Sequence, residues 1–379
     1  MKWFSYIWIG ILLIITAVSI PQCLHNAADG SLFNMTGQQS TLDPQGPVAA
    51  NQLQVFYITL WVTIFLFVTV GGALAFAIWK FRQRKGDDPD YIPPQSHGHP
   101  LVELGLVMGS AALLVVIAIP TFSGILFKSQ IPDRGDGEVI EVNVTGYQWW
   151  WGFEYPEHGF HTANEIVFPA GKVVKLNLKA SDVIHSFWLP KLAGKTDLIP
   201  GQANEMWLKA DEPGYFWGQC AEYCGDSHAY MLFRAVALSE EDYAAWLEAQ
   251  LAPSVAGGAD YSPVATDGED PGLILEGTRL FVENCARCHS VDSKVQTMGP
   301  NLAHFGSRSS IAAGWLENEP ENLEHWILHP DKVKPGNFMW NGFPDPSNPN
   351  GPPQMEGLKN ANLTREDAKA LSAYLYTLK

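Results

Sequence analysis

The sequence predicts a multidomain chain of three parts: a two-helix transmembrane hairpin, an all-β Greek-key domain and a mainly α-helical C-terminal domain. Three observations predict this architecture. Long apolar runs are confined to the first 127 residues, short runs of alternating apolar and polar residues fill the middle, and helical patterns return after a linker. A chain of 379 residues is long enough to form several such units.

The first apolar run, residues 3–20, predicts a signal peptide that covers residues 1–22. The run is short, it follows Lys2, and Pro21 breaks it before a polar stretch. Cys23 raises the alternative of a lipid anchor, but Pro21 and Gln22 stand where small residues are expected before a lipidated cysteine. The signal peptide is therefore the preferred interpretation.

A membrane hairpin is predicted over residues 50–128, because the apolar runs 55–79 and 101–127 are each long enough to cross a bilayer as a helix. Pro120 would loosen one turn without preventing the second span. The loop after the first span carries four basic residues, which place it in the cytoplasm: Lys80, Arg82, Arg84 and Lys85. We therefore expect a multi-pass membrane protein whose C-terminal domains are extracytoplasmic.

The net charge is −16, and most of the acidic excess lies in the part predicted to be exported. Both the sign of this charge and the compartment argue against nucleic-acid binding. An acidic surface could attract basic proteins, but a role in solubility explains it at least as well.

An all-β domain is predicted over residues 137–250 from short runs such as "EVIEVNVTGY", "KVVKLNLKA" and "EMWLKA", which Gly and Pro separate. Residues 239–251 begin with Ser and acidic residues and continue with apolar residues at helical spacing, which predicts a closing helix. Residues 251–271 are rich in Ala, Gly, Pro, Ser and Asp and predict a linker. Residues 272–379 form the last predicted domain.

The sequence "CARCH" in the last domain is the attachment motif of a c-type haem. In this motif Cys285 and Cys288 bind the haem covalently and His289 ligates the iron. A disulfide between the cysteines would leave His289 without a role. Met339 and Met355, on a loop rich in Pro and Gly, are the candidates for the second axial ligand, where a thioether raises the reduction potential.

The stretch "CAEYCGDSHAYM", residues 220–231, places four soft metal ligands close together: Cys220, Cys224, His228 and Met231. Such a set suits copper. A single blue copper needs only one cysteine, whereas two thiolates can bridge two coppers, each with its own histidine. His185, at the edge of a predicted strand, can supply the second histidine. Zinc and a disulfide are the alternatives, but zinc would leave Met231 unused.

The stretch "YQWWWGFEY", residues 147–155, is unusually aromatic. Alternate members are expected in the core of the sandwich. An exposed indole among them would instead mark a docking patch and a point at which electrons enter.

Two N-terminal membrane helices followed by "QWWW", "DVIHSFWLP", "KTDLIPGQANE" and "GQCAEYCGDSHAYM" resemble subunit II of haem–copper cytochrome c oxidases, over residues 50–240. The "CARCH" unit, with "KPGNFM" and a terminal helix, resembles the fused cytochrome c domain of bacterial caa-type oxidases. The resemblance implies a cupredoxin-like fold for the all-β domain and a cytochrome c fold for the last domain.

The resemblance also implies roles for individual residues. A dinuclear copper centre, CuA, falls on six of them: His185, Cys220, Glu222 through its backbone carbonyl, Cys224, His228 and Met231. The Glu222 carboxylate would also bind a magnesium ion shared with subunit I. Trp149 would receive the electrons, and Asp182 would support the loop of His185. Met339 follows "KPG" as in the fused cytochromes, which favours it over Met355, although Trp340 stands where they have proline.

The function implied is that of an electron-input subunit in a bacterial plasma (inner) membrane. Electrons from cytochrome c or another donor protein would pass through haem c and CuA to catalytic subunit I, which reduces oxygen to water and pumps protons beside other oxidase subunits. The helices predicted here lack histidines for such a reaction. A nitric oxide reductase with a similar copper centre is the alternative. A membrane-tethered copper-delivery protein is less favoured, because it would need neither haem nor Met231.

Overall fold

A computed structural model of the chain describes residues 36–88, 90–95, 98–132, 139–254, 270–344, 347–348 and 353–379. The predicted signal peptide, Cys23 and most of the predicted linker lie outside these residues. The contacts within the chain define two compact units. One spans residues 50–131, and the other combines the residues before 50 with residues 132–379.

Two long helices account for the smaller unit: α1 (Pro47–Phe81) and α2 (Pro100–Ser129). Each contains a predicted apolar run and extends beyond it at both ends, and Pro120 lies inside α2 without ending it. Many of their large apolar side chains, such as Phe67 and Leu106, are exposed. Both helices are long and apolar enough to cross a membrane, as the sequence predicts.

The larger unit contains a β-sandwich of two five-stranded sheets. Its strands are β1 (Ile140–Tyr147), β2 (Trp150–Tyr155), β3 (Phe160–Ala163), β4 (Glu165–Pro169), β5 (Val174–Ala180), β6 (His185–Trp188), β7 (Lys195–Leu198), β8 (Asn204–Leu208), β9 (Gly214–Cys220) and β10 (Leu232–Leu238). One sheet has the order β3-β2-β1-β5-β8, and the other β4-β10-β9-β6-β7. Strands β1 and β5 are parallel, as are β4 and β10, and the other pairs are antiparallel. The prediction of an all-β, cupredoxin-like domain is confirmed.

Aromatic side chains fill the space between the sheets. Trp151 and Phe153 on β2, Phe187 on β6 and Phe233 on β10 are all buried. The Trp151 ring centroid lies 5.4 Å from those of Phe187 and Phe233, with the rings steeply inclined, as ring quadrupoles favour. Burial of each ring stabilises the sandwich by roughly 2 kcal/mol. This packing holds β6 and β10, whose ends carry candidate metal ligands, in place.

The predicted closing helix is α3 (Glu240–Leu251). Ser239 caps it, because its hydroxyl accepts a hydrogen bond of 3.1 Å from the backbone N–H of Asp242. Within the helix, Trp246 packs on Tyr155 of β2, with ring centroids 5.6 Å apart. The helix is therefore fixed to the sandwich.

The C-terminal domain is mainly helical, as predicted. Its elements are α4 (Pro271–Asn284), β11 (Ser310–Ile311), β12 (Leu316–Glu317), α5 (Pro320–Leu328), α6 (Pro330–Val333), α7 (Phe338–Asn341) and α8 (Arg365–Tyr376). Helices α4 and α8 cross closely, because Gly277 lies so near the Ala370 carbonyl that no Cβ would fit. Phe281 and Tyr374 pack beside this crossing with their rings tilted and their centroids 5.2 Å apart.

The C-terminal domain packs directly on the sandwich within the same unit. The buried Glu165 carboxylate of β4 accepts hydrogen bonds from the backbone N–H groups of Ser309 (2.8 Å) and Ser310 (3.0 Å). The buried Arg234 guanidinium of β10 donates to the Gly314 carbonyl (2.5 Å). Since buried charges are costly without partners, these contacts favour the packed arrangement.

Candidate metal centres

One end of the second sheet brings the candidate copper ligands together. Strand β9 ends at Cys220, and it is antiparallel both to β6, which begins at His185, and to β10, which begins just after Met231. The backbone N–H of Cys220 donates to the Met231 carbonyl (2.9 Å). Residues that are far apart in the sequence therefore meet where three strand ends converge. Residues 220–231 are called the copper loop below.

The two thiols of the copper loop form the centre of this cluster. Cys220 Sγ and Cys224 Sγ are 3.8 Å apart, and both cysteines are free. This distance is nearly twice a disulfide bond length, so the disulfide alternative is wrong for this structure. Each sulfur has a histidine of its own, because His185 Nδ1 lies 4.0 Å from Cys220 Sγ and His228 Nδ1 lies 3.6 Å from Cys224 Sγ.

Each half of the cluster also has one weaker donor. The backbone carbonyl of Glu222 lies 3.2 Å from Cys220 Sγ, and Met231 Sδ lies 3.8 Å from Cys224 Sγ. Two shared thiolates, one imidazole and one weak donor would give each of two metal ions four ligands. Thiolate, imidazole and thioether are the ligand types that copper prefers.

A single zinc ion fits this arrangement less well. In a tetrahedral site the ligand atoms lie about 3.3 to 3.8 Å from one another. Among the described residues, His185, Cys220 and Cys224 form a group with all ligand atoms within 4.8 Å of one another, and His228 is not part of it. His228, whose Nδ1 lies 3.6 Å from Cys224 Sγ, would be left out of such a single-ion site but could serve a second ion bound to that sulfur.

Asp182 orients His185 for metal binding. Its Oδ1 lies 2.8 Å from His185 Nε2, so that this nitrogen carries the proton and Nδ1 is left as the ligand atom. Asp182 Oδ2 also accepts a hydrogen bond from the backbone N–H of Gln148 (2.7 Å). Burial favours neutral His185, but the hydrogen bonds to Asp182 and Cys220 outweigh it and raise the pKa of the imidazole.

The two thiols differ in acidity because they share a proton. The hydrogen bond from Cys224 lowers the pKa of Cys220 to about 4, whereas the same contact, together with burial, raises the pKa of Cys224. The thiolate form is therefore favoured at Cys220 and disfavoured at Cys224. Binding of a thiophilic metal would release the remaining proton, because thiolates are the ligands.

The haem-attachment motif begins at the C-terminal end of α4. The N–H groups of Cys288 and His289 both donate to the Cys285 carbonyl (3.0 Å each), which winds the motif into a tight turn. His289 Nδ1 donates to the Pro300 carbonyl (2.8 Å), so Nε2 is left for a metal. Burial lowers the pKa of His289 and keeps the imidazole neutral, as an iron ligand must be.

A cavity of about 360 Å³ opens beside this motif. Cys285, Cys288 and His289 line it, and the rest of the wall from the C-terminal domain is largely apolar: Phe281, Leu302, Leu323, Trp326, Ile327 and Leu371. Two thiols, an imidazole and an apolar wall are the groups that a covalently attached haem requires. The residues present therefore fit a haem.

The two candidate axial methionines occupy different places. Met339, in α7, lines the cavity. Met355 Sδ lies 3.2 Å from Cys288 Sγ, at the attachment edge, and the Met355 backbone pairs with Phe343. Met339 is therefore better placed for the role that the sequence assigned to it.

Comparison with known proteins agrees with these two sites. The family model for the periplasmic domain of cytochrome c oxidase subunit II matches residues 158–237, and that for cytochrome c matches residues 274–379. The chain is 39% identical over 350 residues to cytochrome c oxidase subunit 2 of Alkalihalophilus pseudofirmus, covering 90% of this chain and 91% of that protein. The chain belongs to the cytochrome c oxidase subunit II family. Its cytochrome c domain is consistent with a caa-type fusion.

Two further relatives are similar to this subunit II. Cytochrome c oxidase subunit 2 of Bacillus sp. strain PS3 is 34% identical over 355 residues, covering 90% of this chain and 91% of that protein. A crystal structure of the periplasmic domain of subunit II of cytochrome oxidase from Bradyrhizobium japonicum is 35% identical, covers 31% of this chain and 95% of that chain, and has a TM-score of 0.29.

Trp149 of this subunit II lies between the two sites. Its indole N–H donates to the Cys224 carbonyl (2.9 Å), and its ring also lines the cavity, 5.9 Å from that of Phe338. The indole is only 6% exposed. The exposed docking indole considered from the sequence is therefore not found in this stretch, since Trp150 and Trp151 are buried as well. The C-terminal domain covers Trp149.

Sequence reasoning missed three residues at this junction in subunit II. The Gln148 side chain donates to the Cys224 carbonyl (2.7 Å), Lys334 Nζ donates to the Trp149 carbonyl (2.6 Å), and Ser227 Oγ donates to the Pro335 carbonyl (2.6 Å). Burial lowers the pKa of Lys334 to about 7, although the nearby Cys224 opposes the shift. The one signal in the sequence is the "KPG" motif before Met339, which contains Lys334 and Pro335.

Proposed function

We propose that this subunit II accepts electrons from cytochrome c or another donor protein at its cytochrome c domain and passes them, one at a time, to a dinuclear CuA centre. The copper domain would then deliver them to the haem–copper catalytic subunit, where oxygen is reduced to water and protons are pumped. The position of Trp149 carries the proposal, because this side chain both lines the haem cavity and bonds to the copper loop. Each electron lost by the cytochrome domain is gained by the copper domain, and no atom is transferred.

We assign the copper ligands to six residues: His185, Cys220, Glu222 (backbone carbonyl), Cys224, His228 and Met231. When bound, two coppers bridged by thiolates supply a centre that takes up and releases a single electron. The protein's part is to fix the ligands beforehand. The strand ends, the aromatic core and Asp182 do so, which limits rearrangement when the charge changes.

We assign covalent haem attachment to Cys285 and Cys288, and the axial positions to His289 and Met339, with Met355 as the less favoured alternative. Met339 is supported by its place on the cavity wall. The neighbouring capping contact, in which Asn337 Oδ1 accepts a hydrogen bond from the Trp340 N–H (2.9 Å), fixes the start of its short helix.

We further propose that the Glu222 carboxylate binds a magnesium ion at the contact with subunit I. Magnesium is usually held by one or two carboxylates together with water. The backbone carbonyl of Glu222 faces the Cys220 sulfur, and the residue is only half-buried. Its side chain is therefore accessible to an ion and to a partner subunit.

The membrane topology is also a proposal. We infer that α1 and α2 both cross the plasma membrane, with the basic loop between them in the cytoplasm and the metal domains outside. The proposed domain boundaries are 1–22 for the signal peptide, 50–128 for the hairpin, 137–250 for the copper domain, 251–271 for the linker and 272–379 for the cytochrome c domain.

Metal content and spectroscopy of the full-length subunit test the proposal. We expect two coppers and one covalently bound haem per chain, and an electron paramagnetic resonance spectrum in which one unpaired electron is shared by two copper nuclei. After photoreduction, the haem should become oxidised again, as followed by its absorbance, while the absorption band of the copper centre is bleached. One copper per chain, or a preference for zinc, would contradict the copper assignment, and a haem that never reduces the copper would contradict the electron route.

A further inference from the structure

Residues 334–336, called the KPG turn below, connect two sites that are distant in the sequence. The turn precedes α7, which carries the candidate axial ligand Met339. It also contacts the copper loop, because the Ser227 hydroxyl donates to the Pro335 carbonyl across 108 residues of sequence. One turn of the cytochrome domain therefore lies against the candidate copper site.

Within the KPG turn, Lys334 is the residue with a buried, hydrogen-bonded side chain. Its side chain is almost fully buried, and Nζ donates to the Trp149 carbonyl (2.6 Å) and, more weakly, to the Ala312 carbonyl (3.3 Å). One acceptor belongs to the copper domain and the other to the cytochrome domain. A buried amine without such partners would be strongly disfavoured, so these two carbonyls are what allow Lys334 to be buried where the two domains meet.

Gly336 brings the KPG turn close to the Trp149 indole. The residue has φ +75°, and a Cβ there would lie 3.2 Å from the indole and 2.7 Å from a carboxylate oxygen of Asp226. On the copper loop, Gly225 has φ +116°, and a Cβ there would lie 2.9 Å from the same indole. Only glycine adopts such backbone conformations readily, and only glycine leaves room for this approach.

We propose that Lys334, acting through the KPG turn, is a positioning residue that holds Trp149 between the haem cavity and the copper loop and keeps the cytochrome domain docked. Within the described residues, the hydrogen bonds of its side chain go to the backbone carbonyls of Trp149 and Ala312, which are not assigned metal ligands. The proposal rests on the proposed function only for the role of Trp149. The contacts of Glu165 and Arg234 anchor another part of the interface. Changing Lys334 should therefore loosen the junction locally.

Hydrogen–deuterium exchange on the full chain, with haem attached and without copper, measures docking directly. Lys334→Met keeps a long side chain but removes the donor. We expect amides in residues 145–152 and 222–230 to lose protection about tenfold, the change expected for one charge-assisted hydrogen bond. Lys332→Met is the matched control, because Lys332 is two residues away, is exposed, and forms its ion pair with the adjacent Asp331. Its exchange should equal that of the wild type.

A second readout uses the copper-loaded chain. After photoreduction of the haem, electron transfer to copper should be slower in Lys334→Met than in the wild type or in Lys332→Met. The absorption and paramagnetic resonance spectra of both centres should stay unchanged, since the variant alters position and not the ligands. Altered spectra with unchanged exchange would overturn the positioning role.

The outcomes separate this proposal from the proposed function. Wild-type exchange in Lys334→Met would overturn the positioning role whatever the transfer rate. Absence of haem-to-copper transfer in the wild type would overturn the electron route, while the exchange experiment would still decide the role of Lys334. If Lys334→Met does not fold, Ser227→Ala removes the hydrogen bond that the copper loop donates to the KPG turn and should raise exchange in the same two segments.

Discussion

The copper loop and the haem cavity are built in opposite ways. The ligand atoms of the copper loop are already within about 4 Å of their neighbours, on strand ends fixed by an aromatic core. The candidate haem site is a cavity whose candidate ligands lie at the end of α4 and in the short helix α7. A small metal cluster thus needs contiguous ligands on rigid strands, whereas a haem fills a space that several elements enclose. Substitutions in the copper loop and in the haem cavity should therefore affect different properties of the protein.

Removal of one bridging thiol should produce the largest effect. Cys224→Ser takes away a sulfur that both halves of the copper site share, so we expect nearly complete loss of copper, measured by metal analysis, with haem content unchanged. Cys288→Ser is the reciprocal control, which should weaken covalent haem attachment and leave two coppers bound. If Cys224→Ser kept two tightly bound coppers with the spectrum of a dinuclear centre, the shared role of the thiol would be wrong.

The axial methionine offers the next test. Met339→Leu should remove the sixth ligand, convert the haem to a high-spin form, and lower its reduction potential by on the order of 100 mV, since a thioether opposite histidine raises it. Met355→Leu should leave the spectrum low-spin, because Met355 packs on Cys288. The reverse pattern in visible absorption and redox titration would transfer the axial role to Met355.

Asp182 tests how much the copper site depends on support beyond its ligands. Asp182→Asn weakens the hydrogen bond that orients His185, so copper affinity should fall about 10- to 100-fold in competition with a chelator. The haem spectrum should not change. Asp211→Asn, an exposed aspartate of the same domain, is the matched control. Equal affinities in the two variants would show that the strand ends alone fix the imidazole.

The difference between the compact copper loop and the dispersed haem cavity also explains how far each site could be predicted from the sequence. Cys220, Cys224, His228 and Met231 fall within twelve residues, so local spacing revealed the copper chemistry and only His185 had to be added from a distance. The "CARCH" motif likewise revealed haem attachment. Alternating apolar residues predicted the β-sandwich because one face of each strand is buried.

What the sequence did not reveal depends on contacts between domains. Lys334 and Trp149 are separated by 185 residues, and no local pattern shows that a lysine before a Pro-Gly turn donates to a carbonyl of another domain. Burial of Trp149 has the same origin, because the covering side chains belong to the cytochrome domain. The proposed choice of Met339 over Met355 rests on the resemblance to the fused cytochromes and on the cavity wall, since no regular spacing in this Pro- and Gly-rich stretch distinguishes the two methionines.

The smallest effect is expected at the last helix, α8, which supports the haem cavity but not the copper loop. Thr364 and Asp367 form a reciprocal cap, in which Thr364 Oγ1 accepts from the Asp367 N–H (3.2 Å) and Asp367 accepts from the Thr364 N–H (2.8 Å). Thr364→Ala should lower the free energy of unfolding of the cytochrome domain by about 1 kcal/mol, followed by haem absorbance in urea, without changing copper content.

The stabilisation that this cap provides should depend on pH in a defined direction. Hydrogen bonds from the Thr364 backbone and hydroxyl lower the pKa of Asp367 below its ordinary 3.8. The carboxylate therefore stabilises the folded domain fully above that value, and this contribution is lost as the pH falls through the lower, folded-state pKa. The difference between wild type and Thr364→Ala should shrink over that acidic range. A constant difference would show that the hydroxyl acts on the helix without the carboxylate.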